Sequence, residues 1–177
     1  MPRADVDTRA EIRAAAVDLF ARRGYDATSL REIAERIGVT KAALYYHYPS
    51  KDALLADLVD PMLDGLRELA ADLAEHPARV RDLLERYWDF CLQHRYVLRV
   101  LVHNASVVGH TGIAGRMIHW REGIDAALAG GDAPGDRVRA VVALGGLQDA
   151  VVLFGDDELP GLREAAVDAA ERALGPR

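Results

Sequence analysis

The chain has a single cysteine, Cys91, so no internal disulfide can staple the fold. No apolar run approaches the roughly 18 to 20 residues that span a bilayer. The opening stretch MPRADVDTRAEIRAAA is charged from its start and lacks the apolar segment of a secretory signal. These features lead to the expectation of a cytoplasmic protein with no membrane partner. A Gly-rich phosphate loop, a nucleophile elbow, a close pair of metal ligands and an acid/base pair of carboxylates are all missing. No enzyme activity, cofactor or metal is therefore expected. Strand-like alternation of useful length is missing too, whereas helical periodicity recurs from end to end. The remaining class is an all-α protein, and 177 residues suffice to bury a real core.

A net charge of −6 argues at first against nucleic acid, because phosphate binding rests on lysine and arginine. Its distribution argues otherwise. Residues 1–52 hold nine Lys/Arg and eight Asp/Glu, while residues 53–177 hold thirteen and twenty. Between Gly38 and Lys51 stand two lysines, one histidine and no carboxylate. The stretch GVTKAALYYHYPSK is a locally basic, ring-rich segment on an acidic protein.

Helix signals organise the chain. Thr8 with Glu11 has capping-box spacing, followed by the apolar face Ile12, Ala15, Ala16, Leu19 and Phe20 and by a stop at Gly24. Ser29 with Glu32 repeats that grammar for a short second helix whose stripe is Leu30, Ile33, Ala34 and Ile37, ended by Gly38. Thr40 caps a third helix through about Tyr46, which Pro49 ends. Ser50 opens a fourth, reaching about Glu75, in which Pro61 predicts a kink near Val59 to Pro61. Further helices are expected at about Ala78–His94, Arg95–Val107, Ala114–Ala129, Arg137–Phe154 and Leu162–Leu174. VGHTGIAG, GGDAPGD and GDDELPG are the breaks among the later ones.

Two short helices across so tight a glycine turn, buttressed by a longer first helix, make a helix-turn-helix. The second helix of the pair protrudes. Val39, Ala43 and Leu44 suffice for its buried side, and Lys41, Ala42, Tyr45, Tyr46 and His47 fall on its outer side. Tyr48 is expected in the core, since four consecutive rings cannot all face one way on a helix.

Over roughly residues 8–58 the chain resembles the TetR family of bacterial transcriptional regulators. The residues carrying the likeness are Gly24-Tyr25, Thr28-Ser29, Arg31, Ile33-Ala34, Gly38-Val39-Thr40-Lys41, Ala43-Leu44-Tyr45-Tyr46-His47-Tyr48, Lys51 and Leu54. Ala42 departs from the glycine that many members carry. The resemblance implies an N-terminal three-helix helix-turn-helix DNA-binding domain, residues 1–50, joined by a long helix to a C-terminal helical ligand-binding and dimerisation domain, residues 51–177. It implies a homodimer on a double-stranded, palindromic DNA operator, released by a small-molecule effector, and most simply a repressor. Thr28, Thr40, Tyr46, His47 and Lys51 match family positions that contact phosphate, and hydroxyl, imidazole and ammonium groups are suitable donors. Lys41, Ala42 and Tyr45 match positions that approach base edges.

Tyr87, Trp88, Phe90, Cys91 and His94, with Asn104, Trp120 and Gln148 from other helices, are either ordinary core or the wall of an effector pocket. His94, His103, His110 and His119 lie nine, seven and nine residues apart, which suits solvent or pocket positions better than a metal site. Cys91 reads as a small buried residue, with a ligand-reactive thiol as the other reading. The last two helices, rich in Ala, Val and Gly, are read as half of a four-helix bundle shared by two subunits, or else as buried within one. Two readings compete with a DNA-binding regulator: a small helical enzyme using His47 or the Tyr87 to His94 region, and a protein-binding adaptor.

Overall fold

The computed structural model describes residues 5–76, 78–104, 107, 112–131 and 133–175, and the side chains of all these but 5–7. Among them are nine helices and no strand. They are α1 (Asp5–Arg23), α2 (Leu30–Ile37), α3 (Lys41–His47), α4 (Lys51–Glu75), α5 (Val80–Gln93), α6 (Arg95–His103), α7 (Ile113–Ala129), α8 (Pro134–Leu153) and α9 (Leu159–Leu174).

Several boundaries differ from those expected. Thr8 does not cap α1: the helix begins at Asp5 and Thr8 is buried within its first turns. Arg79 is extended, so α5 starts at Val80 rather than Ala78. α6 stops at His103, leaving Asn104 outside the helix, and residues 108–111 of the VGHTGIAG break lie outside the described residues. α8 and α9 start earlier than Arg137 and Leu162, because Pro134 and Pro160 sit in their first turns, where a missing N–H costs nothing. α4 stays helical through Pro61. That proline is solvent-exposed, so water can satisfy the carbonyl it leaves without a donor.

The chain divides by its internal packing into two compact units. The first comprises Met1–Met62 with Tyr96–Ala114, the second Leu63–Arg95 with Gly115–Arg177. The first turns of α4 bury Leu54, Leu55, Leu58, Val59 and Met62 within the first unit, to which α6 also contributes. In that unit α1 packs on α2 and α2 on α3. Its core includes Ile12, Ala16, Phe20, Ile33 and Leu44, all fully buried, each worth about 1.5–3 kcal/mol for the larger side chains. In the second unit α5, α8 and α9 pack on one another. Leu84, Trp88, Leu144, Leu147 and Val167 form its centre, and Arg81 and Arg163 on α5 and α9 pair across with Asp168 and Asp89.

Candidate nucleic-acid interface

The helix pair is built as its local residues dictate. Glu32 N–H donates to Ser29 Oγ (3.2 Å) while Ser29 N–H donates to Glu32 Oε2 (2.7 Å), a complete capping box worth about 1 kcal/mol. The hydrogen bonds from the Ser29 backbone and hydroxyl hold the Glu32 carboxyl below its usual range. At the other end Gly38 is left-handed, with φ 71° and ψ 28°, a conformation that costs an L side chain about 1–2 kcal/mol. Its N–H and that of Val39 close back on α2 carbonyls. Thr40 then caps α3, accepting from Ala43 N–H at 3.1 Å. That bond uses only a lone pair, so the Thr40 O–H still has its proton to donate.

α3 buries one line of side chains and exposes another. Leu44 and Tyr48 are sealed, Ala43 and His47 are half-buried, and Thr40, Lys41, Ala42, Tyr45 and Tyr46 are exposed. Tyr46 is 77% exposed. The Lys41 ammonium stands 5.4 Å from the Tyr45 ring centre, one helical turn away, and the Tyr46 and His47 rings meet edge to face.

Two polar clusters fix this helix pair in place. At the end of α3, Tyr48 donates its hydroxyl proton to Asp57 Oδ2 (2.6 Å) and accepts from Arg9 Nε (3.1 Å). Arg9 and Arg13 of α1 also pair with Asp57. Burial pushes the Asp57 carboxyl up, but the Tyr48 and Arg9 hydrogen bonds and the two guanidinium charges outweigh it and hold the group below its usual range. Burial raises the Tyr48 phenol.

The other cluster is centred on Tyr25, in the loop between α1 and α2. Its N–H donates to Asn104 Oδ1 at 2.7 Å, its carbonyl accepts from Lys51 Nζ at 2.7 Å, and its hydroxyl donates to Asp52. Lys51 Nζ lies 4.2 Å from the Tyr25 ring centre and also donates to the Thr28 carbonyl at 3.0 Å. Burial, with the Asp52 carboxylate, pushes the Tyr25 phenol well up. Thr28 is not on the surface: it is 2% exposed, and its hydroxyl donates to the Gly24 carbonyl at 2.8 Å. Lys51 spends two of its three donors on backbone carbonyls.

In the second unit, the Tyr87 hydroxyl accepts from Arg121 Nη1 (2.8 Å) and donates to Gln148 Oε1 (3.4 Å), and Arg121 pairs with Asp125. Phe90 stacks on Tyr87 and tilts on His94. Burial raises the Tyr87 phenol, pushes the Cys91 thiol up to about 12 and lowers the half-buried His94 imidazole. Cys91 is therefore a neutral, inert thiol at ordinary pH. Gly65 of α4 makes room for this group: a Cβ there would lie 3.2 Å from His94 Nε2 and 3.3 Å from Phe90.

The profile of the family described as bacterial regulatory proteins, tetR family, matches residues 12–58. A transcriptional repressor of the helix-turn-helix type from Mycobacterium tuberculosis H37Rv is 34% identical over an alignment of 187 residues, which takes in 99% of this chain and 94% of the relative. The chain belongs to the TetR family. Shorter likenesses to other regulators are centred on fewer residues. The transcriptional activator FasR of Mycolicibacterium smegmatis is 32% identical over 105 residues, 57% of this chain and 48% of its own. The regulator TtgR of Pseudomonas putida is 44% identical over 68 residues, 38% of this chain and 30% of its own. The chain thus spans about half or less of those two relatives. The TetR fold extends over both units: a ketosteroid transcriptional regulator of Mycobacterium tuberculosis superposes with a TM-score of 0.75 at 20% identity, covering 95% of this chain and 93% of its own. A regulator from Aquifex aeolicus gives 0.70 at 19% identity, over 93% and 98%.

Set in the TetR fold, the residues expected at the two sites are partly brought together. Thr40, Lys41, Ala42, Tyr45 and Tyr46 share an exposed face with half-buried His47 beside them, while Thr28 is withdrawn from it. Tyr87, Phe90, Cys91, His94 and Gln148 form one group. Trp88 is sealed in the core, and Trp120, half-buried, packs against His119. Asn104 spends its amide on Tyr25, Phe20 and Val100 within the first unit. His110 lies outside the described residues, and among those described no cluster of three or more His, Cys, Asp or Glu could hold a metal ion. No described helix is long and apolar enough to cross a membrane. Arg9, Asp57, Gly65 and Arg121 are not singled out by the sequence, and Tyr25 enters there only as part of the family likeness. Only Tyr25 and Gly65 carried a signal, a ring next to a turn glycine and a glycine inside a leucine-rich helix.

Proposed function

We propose that this protein is a ligand-responsive transcriptional regulator, not an enzyme, that acts in the cytoplasm as a homodimer on a palindromic operator. The first unit reads DNA, and the second binds effector and partner subunit. The observation that carries this reading is the outer face of α3, where Lys41, Ala42, Tyr45 and Tyr46 are exposed although the fold does not need them exposed. Thr40, Tyr46, His47 and the one unspent donor of Lys51 face phosphates; Lys41, Ala42 and Tyr45 meet base edges. Repression by occupying promoter DNA is favoured because the relative matched over its whole length is named a repressor.

Dimerisation is supported by α8. Val138, Val141, Val142 and Leu153 are each more than half exposed, and a Cβ on Gly145 or Gly146 would meet nothing within 4 Å. Gly161, Ala165 and Ala169 repeat every four residues on the exposed side of α9. A two-fold copy laid on these faces makes a four-helix bundle. The Tyr87, Phe90, His94, Arg121 and Gln148 group supplies aromatic surface with a few polar atoms, the composition of a small-molecule site.

The test is selection of bound sequences from a random duplex pool, with Tyr45→Ala in parallel. A palindrome enriched by the wild type and lost by the variant is expected. Failure to enrich any sequence at low or moderate salt would refute the proposal.

A further inference from the structure

Asn104 stands 79 residues from Tyr25 and 84 from Phe20 in the chain, yet it is bonded to both. Its Oδ1 accepts from Tyr25 N–H at 2.7 Å, and its Nδ2 donates to the carbonyls of Phe20 (3.2 Å) and Val100 (2.7 Å). The residue is 6% exposed, and two of the three hydrogen bonds of this buried amide, those to Tyr25 and Phe20, are made only when it is seated here. Gly24 completes the seat. A Cβ there would lie 3.2 Å from Asn104 Oδ1, and its φ of 91° already excludes most side chains.

The Tyr25 backbone is thereby gripped from two sides. Asn104 takes its N–H from beyond the end of α6, and Lys51 takes its carbonyl from the first turn of α4. Lys51 also holds Thr28, the residue before the α2 cap, while Asp57, further along α4, holds Tyr48 at the end of α3. The α2–α3 pair is thus strung between two anchors on α4, and the loop leading into it is fixed by α6.

We infer that Asn104 is a positioning residue for DNA reading, through which a seated α6 completes the first unit and sets the angle at which α3 is presented. This rests on the DNA-binding reading above, and deepens it by naming the side chain that holds the loop leading into the reading pair. If α6 withdraws, the Tyr25 N–H loses its acceptor and the Phe20 carbonyl keeps only the Gly24 N–H, while the Asn104–Val100 bond travels with α6, so the two long-range bonds are lost in one step.

The experiment uses Asn104→Asp and Asn104→Ala in the full chain, measured against the sequence selected by the wild type. A carboxylate at 104 can accept from Tyr25 N–H but faces two carbonyl oxygens. Its protonated form restores a donor to one of them. The charged groups around Tyr25 are Lys51 and Asp52, with Asp26 next in sequence; all are present in the wild type, so affinities are expressed as a ratio to it at each pH. At about pH 8 both variants should bind about tenfold or more weakly than the wild type, on all sequences alike. At about pH 5.5 Asn104→Asp should recover most of that loss and Asn104→Ala none. Circular dichroism at the assay temperature checks that all three remain fully helical at both pH values, which separates positioning from unfolding. Should Asn104→Asp prove unfolded at pH 8, Tyr25 amide exchange in the wild type with and without operator replaces it, and increased protection on binding is expected. Wild-type binding combined with variants that bind equally well, or with a loss that pH does not relieve, overturns this inference alone. A wild type that binds no DNA overturns the functional reading and this inference with it.

Discussion

Replacing Lys51 by methionine isolates what its ammonium does, since methionine keeps most of the aliphatic stem and can still pack. The ammonium donates to two carbonyls, at 2.7 and 3.0 Å, and stands 4.2 Å from the Tyr25 ring centre. Hydrogen bonds from a charged donor contribute about 1.5–3 kcal/mol each. The residue is half-exposed, so water can take over part of what the carbonyls lose, and the lower end applies. Adding about 0.5–1 kcal/mol for the cation over the ring, and allowing for partial solvation, Lys51→Met should cost about 2–4 kcal/mol. For a chain of this size each kcal/mol moves Tm by about 2–4 °C, so a fall of roughly 5–15 °C is expected in a thermal melt followed by circular dichroism at fixed protein concentration. A fall below about 2 °C would mean that the two carbonyls are as well served by water, and that Lys51 does not anchor the loop before α2.

Lys41→Ala should leave stability within about 0.5 kcal/mol, as its side chain is exposed, yet lower the salt slope of operator binding by about 1 per subunit and blur sequence preference; an unchanged slope would remove Lys41 from the interface. Asp57 is held below its usual range in the folded state, so its contribution to stability is fully present above about pH 4–5 and is lost as pH falls through the lower folded value. Urea melts should accordingly show the gap between wild type and Asp57→Asn widest near neutrality and closing below about pH 4, and a constant gap would contradict this. Val142→Asp places a charge on the 58%-exposed position of α8 and should yield a helical monomer by sedimentation with operator affinity reduced at least about tenfold; a persisting dimer would exclude this face.

What the sequence made legible is what its residues determine locally. Ser29, Glu32, Gly38, Thr40 and Ser50 act within four residues of themselves, and their caps and turns are found where they were expected. On α4 the helically spaced Leu54, Leu55, Leu58, Met62, Leu66, Leu69 and Leu73 are all buried, because helical periodicity decides which residues share a face. Contacts between distant residues left no such trace. Thr28 was assigned by its type, and a hydroxyl looks the same in sequence whether its partner is a phosphate or the Gly24 carbonyl. Lys51 carried the signature of a phosphate contact, but its two backbone partners belong to a loop more than twenty residues earlier. In sequence Asn104 is one more polar residue to set among rings with Tyr87 and Trp120, and only the folded chain reveals that its amide serves Tyr25. The Arg9, Tyr48 and Asp57 cluster joins three helices, so no window of periodicity could display it.

The discontinuity of the first unit also governs the order in which the molecule can be made. Its first 62 residues are synthesised before α6, which enters at Tyr96 and brings Asn104. At about 5–20 residues per second, translation of the intervening stretch of roughly 40 residues takes about 2–8 s. During that interval the nascent helix-turn-helix has its caps and its α4 anchors but not the amide that grips Tyr25. The first unit can therefore be completed only after residue 104 has been made, well after the caps and turns of its helix-turn-helix are in the chain.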